Sequence, residues 1–236
     1  MTFRVKRMYA IFQKDLKDLS KNMYIGSTVF MAVLLAALYG RMDGITLELH
    51  FMVINMTFAI VTGFIQCAII AEEKEKNTLR GLMLSPATIS EIMAGKSLVS
   101  FITTIVTLII CMWLTGYTPA SILPIAIAII LSIFFYIAMG TLLGLLSKSV
   151  MEASVIVLPV LFIFGFGSFL VGFIDEYPVL KVIEYFPNVQ IIDLAYKVEE
   201  GLGFGDIWSH LGVIMAWVVV TALITIVVFK KREMDE

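Results

Sequence analysis

The chain has 236 residues, of which 60% are hydrophobic and 15% charged, with a mean hydropathy of +0.96. A soluble domain carries about a quarter charged residues, and this composition would leave too much apolar area facing water. A soluble enzyme, a nucleic-acid binder and a disordered chain are excluded on that ground. The net charge of −2 offers no basic excess to a polyanion, and Cys67 and Cys111 both lie in apolar runs, so neither a disulfide framework nor a metal cluster is built.

Residues 1–22 are a polar lead. Within it Val5, Met8, Phe12, Leu16 and Leu19 recur at spacings of 3, 4, 4 and 3, which is one stripe of a helix. Lys14, Lys17 and Lys21 lie away from the stripe. The pattern reads as an amphipathic helix in the membrane interface, its lysines near anionic headgroups, or as a plain lead-in to the first span. The lead is too long for a signal peptide and no A-x-A-like site follows the apolar run, so that run is expected to be retained.

Six stretches approach the roughly 20 helical residues that cross about 30 Å of hydrocarbon. They are 23–40, 51–71, 97–116, 121–146, 153–174 and 208–229, and none contains Asp, Glu, Lys or Arg. The uncharged run 97–147 is 51 residues long, and Gly116-Tyr117-Thr118-Pro119 divides it into a helical hairpin. A barrel would need short alternating strands, which are absent.

Orientation follows from Lys and Arg. Six lie in 1–22, four in 72–96, one at Lys148 and three in the tail, against Arg41, Lys181 and Lys197 in the opposite connections. The expected fold is an all-α integral membrane protein with six transmembrane helices and both termini cytoplasmic. Its parts are an interfacial helix (1–22), a six-span domain (23–229) and a cytoplasmic tail (230–236).

The cytoplasmic connection 72–96 carries the most information. Glu72-Glu73-Lys74-Glu75-Lys76 extends the second span as a charged helix. Leu79, Leu82, Met83 and Leu84 then form an apolar patch, which rests on a partner surface or on the protein's own helix ends and lipid. Ser85-Pro86 stops it. Thr88-x-x-Glu91 is a capping box that starts the next helix.

The outer connection 175–207 carries a stripe of Val179, Val182, Ile183 and Phe186, then Pro187-Asn188, then Gln190, Asp193 and Lys197 on one polar face. Two short helices are expected here, re-entrant or interfacial, or else forming a plain cap.

Other motifs carry less. Gly95-Lys96-Ser97 lacks the leading glycine of a phosphate loop, because position 90 is Ser90, and no strand precedes it. Gly165-Phe166-Gly167-Ser168 with His210 does not have a nucleophile elbow's spacing. Gly140 and Gly144, like Gly165 and Gly167, suit close helix packing. His50 and His210 read as solvated residues at a membrane edge. A proton- or ion-coupled carrier usually places a charged group inside a span, and no Asp, Glu, Lys or Arg lies there. An ion-coupled carrier or channel, an integral membrane enzyme and a membrane scaffold remain as alternatives.

The segment Glu73-Lys74-Glu75-Lys76-Asn77-Thr78-Leu79-Arg80-Gly81-Leu82-Met83-Leu84-Ser85-Pro86, continued by Glu91-Ile92-Met93-Ala94-Gly95-Lys96, resembles the signature of ABC-2 type transporter permeases. Leu143-Gly144-Leu145-Leu146-Ser147-Lys148-Ser149 with Pro159 downstream is similar to a second family segment. Tyr185-Phe186-Pro187 followed by Ile192-Asp193-Leu194-Ala195-Tyr196 is similar to a third. The resemblance covers nearly the whole chain.

It implies the membrane subunit of an ATP-driven exporter in the plasma membrane. Two ATP-binding cassette ATPases would work beneath two permeases, either two copies of this chain or one copy with a related chain. This chain would hold no cofactor and no metal, ATP and Mg belonging to the ATPases, and it would bind lipid but no nucleic acid. Glu72, Glu73, Glu75, Thr78, Leu79, Leu82, Met83, Leu84 and Pro86 would form the coupling element, with the helix of Val5, Met8, Phe12, Leu16 and Leu19 beside it. Phe186, Pro187 and Asp193 would belong to the outer gate. A lining of Phe, Met, Ile and Ser would suit an apolar or amphipathic cargo such as a drug, lipid or peptide.

Overall fold

The computed structural model describes residues 4–76, 78, 86–174, 176–201 and 204–235. The described residues form helices and no strand: α1 (Val5–Lys21), α2 (Met23–Tyr39), α3 (Leu47–Glu75), α4 (Ile89–Thr115), α5 (Ile122–Leu146), α6 (Val150–Gly165), α7 (Gly167–Val171), a 3-10 segment (Pro178–Tyr185), α8 (Pro187–Glu199) and α9 (Phe204–Asp235).

Among the described residues four helices are long and apolar enough to cross a membrane: α3, α4, α5 and the Gly205–Lys231 part of α9. The pair α1 and α2 passes the same test as one bent unit with a 73° bend, which makes five. α6 is apolar but has only 16 residues.

Local signals account for the helix ends. Thr88 Oγ accepts from the Glu91 N–H at 3.2 Å while Glu91 Oε2 accepts from the Thr88 N–H at 2.7 Å, so the capping box starts α4. Gly116 ends it at φ 71°, a left-handed conformation that glycine adopts without strain. The chain then turns into α5 as the hairpin spacing predicts.

α3 is the axis of the bundle, and 94% of its most apolar window is buried. The reason is steric. A Cβ at Gly140 of α5 would stand 2.4 Å from the Gly63 carbonyl oxygen, and one at Gly144 would stand 2.7 Å from that of Cys67. Without those carbons α5 lies directly on the α3 backbone. Just at this level α3 widens into a π-helical turn over Phe58–Gly63.

Two apolar cores flank this axis. One gathers Phe51 and Phe58 with Ile133 and Tyr136 of α5, Leu194 of α8 and Ile214 of α9. The other gathers Phe12 of α1, Ala32 and Ala36 of α2, Ile65 of α3, Val99 of α4 and Val157 of α6. Polar side chains between the helices pair with one another. Gln66 Nε2 donates to Thr141 Oγ at 2.9 Å, Ser100 Oγ donates to Gln66 Oε1 at 2.7 Å, and the Thr62 and Thr104 hydroxyls lie 2.8 Å apart. Such pairing matters where no water can substitute.

Two expectations change. The stretch 153–174 is not one continuous helix. Helix α6 ends before Phe166, which leaves helical geometry at φ −109° and ψ 11°. A Cβ at Gly167 would stand 2.2 Å from Asn188 Nδ2, so α7 starts in close contact with α8 just past the break. Pro159 has already removed one backbone donor from α6. Second, the stripe of Val179, Val182, Ile183 and Phe186 assumes α-helical spacing. The segment is a 3-10 helix with three residues per turn. Ile183 is buried and Phe186 half-buried, while Val179 and Val182 point outward, 81% and 59% exposed.

Candidate functional site

The ends of α3, α5 and α9 and the starts of α4 and α6 share one end of the bundle with α1 (hereafter the charged end). The run Glu72-Glu73-Lys74-Glu75-Lys76 closes α3 there, and successive residues reach different elements.

Glu73 turns inward. Its Oε1 lies 2.7 Å from Lys14 Nζ of α1 and 2.8 Å from Lys96 Nζ of α4. Lys96 is fully buried, and its ammonium also reaches Asp15 Oδ2 of α1 at 2.9 Å. Lys14 closes the set at 3.5 Å from Asp15 Oδ1. Two ammoniums thus face two carboxylates, and with the half-exposed Lys14 counted the set carries no net charge. That balance is what makes burial tolerable, because an unpaired ion here would lose its hydration without recompense. Thr78 Oγ donates to the Glu73 carboxylate and reaches its carbonyl oxygen at 3.3 Å, which folds the start of the connection back onto the helix end.

Lys74 turns the other way. Its Nζ donates to the carbonyls of Leu145 at 2.6 Å and Ser147 at 2.5 Å, satisfying the free carbonyls at the end of α5. Glu75 Oε2 accepts from the Val150 N–H at 2.9 Å, at the first turn of α6. Glu72 pairs with Lys76 along the helix. The last turn of α3 therefore holds α1, α4, α5 and α6 together.

A second anchor lies beside Pro86. The buried Glu91 carboxylate accepts from the backbone N–H of Arg4 at 2.5 Å, and Arg7 Nη1 donates to the Pro86 carbonyl at 2.5 Å. Gly95 lets α1 settle on α4, since a Cβ there would stand 2.8 Å from the Met8 carbonyl oxygen. Of the α1 stripe, Phe12 is buried and Met8, Leu16 and Leu19 are half-buried, while Val5 is 64% exposed. Ile11 and Asp15 are buried with them. A cavity of about 140 Å³ opens beside the ion set, lined by Asp18, Glu72, Lys76 and Thr78 among others. The apolar patch Leu79, Leu82, Met83 and Leu84 lies outside the described residues.

The opposite end is aromatic. Phe186 packs against Phe164 and Trp217, with ring centroids 5.3 and 5.6 Å apart, and Trp217 Nε1 donates to the Tyr185 carbonyl at 2.7 Å. Pro187 opens α8 and is buried. Asn55 Nδ2 donates to the Asn188 carbonyl at 2.9 Å, tying α8 to α3. His210 Nδ1 lies 2.8 Å from Gln190 Oε1, so it is a structural partner of α8 rather than a free edge residue. Burial pushes the Asp193 carboxyl above its usual range, against the pull of Lys197 and with the help of Glu184. Phe186, Pro187 and Asp193 thus share one end, remote from the charged set.

Three members of the ion set escape sequence reasoning, Lys14 among them because it reads as a headgroup-facing lysine off the stripe. Asp15 falls three residues after Phe12 on the apolar stripe, and a carboxylate on that face is the signal that could have marked it. Lys96 stands out in the rejected phosphate-loop match and at the end of the signature segment, but neither marks it as an ionic partner, although it directly precedes the long uncharged run. In the structure it lies on a helix, with its ammonium fully committed to carboxylates.

The family model described as ABC-2 family transporter protein matches residues 11–227, which includes most of α1, the ion set of Lys14, Asp15, Glu73 and Lys96, and about three quarters of α9. Comparison with curated proteins finds no match. A membrane protein of apolar helices, with its ionic residues kept to the helix ends and connections, fits that match throughout its length. The chain belongs to the ABC-2 family of transporter proteins, as the permease subunit of an ABC transporter.

Proposed function

We propose that this permease serves an exporter of apolar or amphipathic molecules, driven by ATP hydrolysis in separate subunits, and that residues 72–96 receive the motor's stroke. ABC-2 permeases generally work with ATP-binding cassette ATPases. In this reading two ATPases, with their ATP and Mg, sit beneath two permeases in the plasma membrane, and this chain holds no cofactor. The charged end is cytoplasmic, as are both termini, and the spans number six: α2, α3, α4, α5, α6 continued by α7, and α9. The chain then divides into an interfacial helix (1–22), a membrane domain (23–229) and a tail (230–236), with Phe186, Pro187 and Asp193 at the outer gate.

The observation that carries this reading is Lys96, shared between Asp15 and Glu73. One buried ammonium joins α1, the end of α3 and the start of α4. A push on the connection that Thr78 and Pro86 bracket is delivered to all three as one body. Glu72, Glu73, Glu75, Thr78 and Pro86, with the apolar patch at Leu79, Leu82, Met83 and Leu84, act as the coupling element. Packed helices shift between discrete arrangements rather than bend continuously. The exposed stripe Met151, Val155, Leu158 and Phe162 on α6 leaves an apolar face for a second permease.

The test uses the permease with its ATPase in vesicles. In Glu73→Gln with Lys96→Gln, hydrolysis continues while transport falls by roughly tenfold, the weight of about 1.4 kcal/mol in the inward–outward equilibrium. Transport by the purified permease alone, or labelling of 72–96 from outside the cell, overturns the reading.

A further inference from the structure

A groove of about 480 Å³ runs from the charged end toward the middle of the bundle, between α4, α5 and α9. Its volume lies within the roughly 300–1,000 Å³ of small-molecule sites. Met93 of α4, Phe134 and Ala138 of α5, and Ala222 and Phe229 of α9 line it, and Lys230 stands at its mouth. The small side chains of Ala138 and Ala222 leave the space, and Thr225 keeps α9 seated by donating to the Ala138 carbonyl at 3.1 Å. Phe134 and Ile226 are 47% and 51% exposed, so the groove opens sideways, toward what would be hydrocarbon in a membrane.

Lys230 is exposed and makes no ion pair with a described residue, unlike Lys14, Lys76 and Lys96 at the same end. Lys231 follows it directly. An apolar channel at acyl-chain depth, capped by a free cation at headgroup depth, has the form of one amphiphile with a negative head. We infer that this groove holds an anionic phospholipid of the leaflet at the charged end, its chain along Met93, Phe134 and Ala222 and its phosphate on Lys230. The inference rests on the membrane location alone, not on coupling to an ATPase.

The probe is phosphatidylglycerol carrying a photoactivatable acyl chain, diluted into phosphatidylcholine nanodiscs around the full chain, with labelled residues mapped by mass spectrometry. Labelling is expected to concentrate on Met93, Phe134 and Ala222 over the outward face of α2, where Phe30 and Leu38 are exposed. Lys230→Glu leaves the packing untouched and lowers groove labelling by more than about fivefold, because the loss of one basic residue beside an anionic headgroup is worth about fivefold and the new carboxylate adds repulsion. Ala222→Trp fills the groove and abolishes labelling there but not elsewhere. Three outcomes overturn the inference: labelling of the groove no stronger than of the α2 face, equal labelling by a matched phosphatidylcholine probe together with an indifferent Lys230→Glu, or an intermolecular disulfide through Phe134→Cys that shows a second copy in the groove.

Discussion

The carbonyl oxygen of Gly63 and the α-carbon of Gly140 meet so closely that a Cβ on Gly140 would stand 2.4 Å from that oxygen. No rotamer change relieves such an overlap, because the obstacle is backbone. Gly140→Val should therefore force α5 off α3, with a loss at or above the roughly 1–3 kcal/mol of ordinary overpacking. Gly26 on α2 has nothing within 4 Å of the same position. Gly26→Ala should be neutral or stabilising by up to about 1 kcal/mol, through helix propensity. Thermal unfolding in detergent compares the two.

Lys96→Met should be worse than its chemistry suggests. It leaves Asp15 and Glu73 buried with only the half-exposed Lys14 between them. Removing one partner from a buried ionic set destabilises by about 3–5 kcal/mol. Replacing Asp15, Glu73 and Lys96 together by Leu, Met and Met should restore most of that loss. Urea unfolding followed by tryptophan fluorescence reads both variants, and a triple variant as unstable as the single one would contradict the account.

Gln66→Met breaks two interhelical bonds in the apolar interior. Thr141 keeps its own donation to the Ile137 carbonyl, so Ser100 is the group left wanting. Bonds of this kind average about 0.6 kcal/mol in membrane proteins. The expected loss is about 1 kcal/mol, and Ser100→Ala in the same background should return part of it.

Trp217→Phe keeps a ring beside Phe135 and Phe186 but loses the bond to the Tyr185 carbonyl. Hydrogen exchange at residues 180–186 should quicken while that of α5 stays unchanged. If α5 quickens equally, the ring and not the indole N–H holds this end.

Asp193 provides a pH dependence. Its carboxyl is raised in the folded chain, so the folded state holds the proton more tightly than the unfolded one. The penalty is absent below the unfolded value and grows as pH rises through the folded one. Asp193→Asn should thus raise stability at neutral pH and flatten this rise. Melting temperatures between pH 4 and 7.5 test it, with the wild type gaining on acidification relative to the variant.

Some elements were legible because their causes are local. The capping box at Thr88 and Glu91, the turn at Gly116 and the charged extension through Glu75 each depend on residues within four positions. The 3-10 geometry of Pro178–Tyr185 was not legible, since Val179, Val182, Ile183 and Phe186 suit either period until Ile183 and Phe186 find partners. The fit of Gly167 against Asn188, just past the break at Phe166, brings together residues 21 positions apart in sequence. At the charged end, composition placed Glu73 and Lys96 on the same side of the membrane, but nothing in their spacing paired them with each other or with Asp15.

The sequence by itself determined that this protein is a bundle of membrane helices with its charges gathered at the ends, because transferring an ion into hydrocarbon is prohibitive at any position along the chain. The signature run also identified its family. Only the tertiary structure decided that α3 is the buried axis, that α5 touches its backbone, and that one lysine is shared by two carboxylates from different helices. Such pairings follow from which glycines leave room and which polar groups must find partners once water is excluded, and those are properties of the packed set rather than of any one segment.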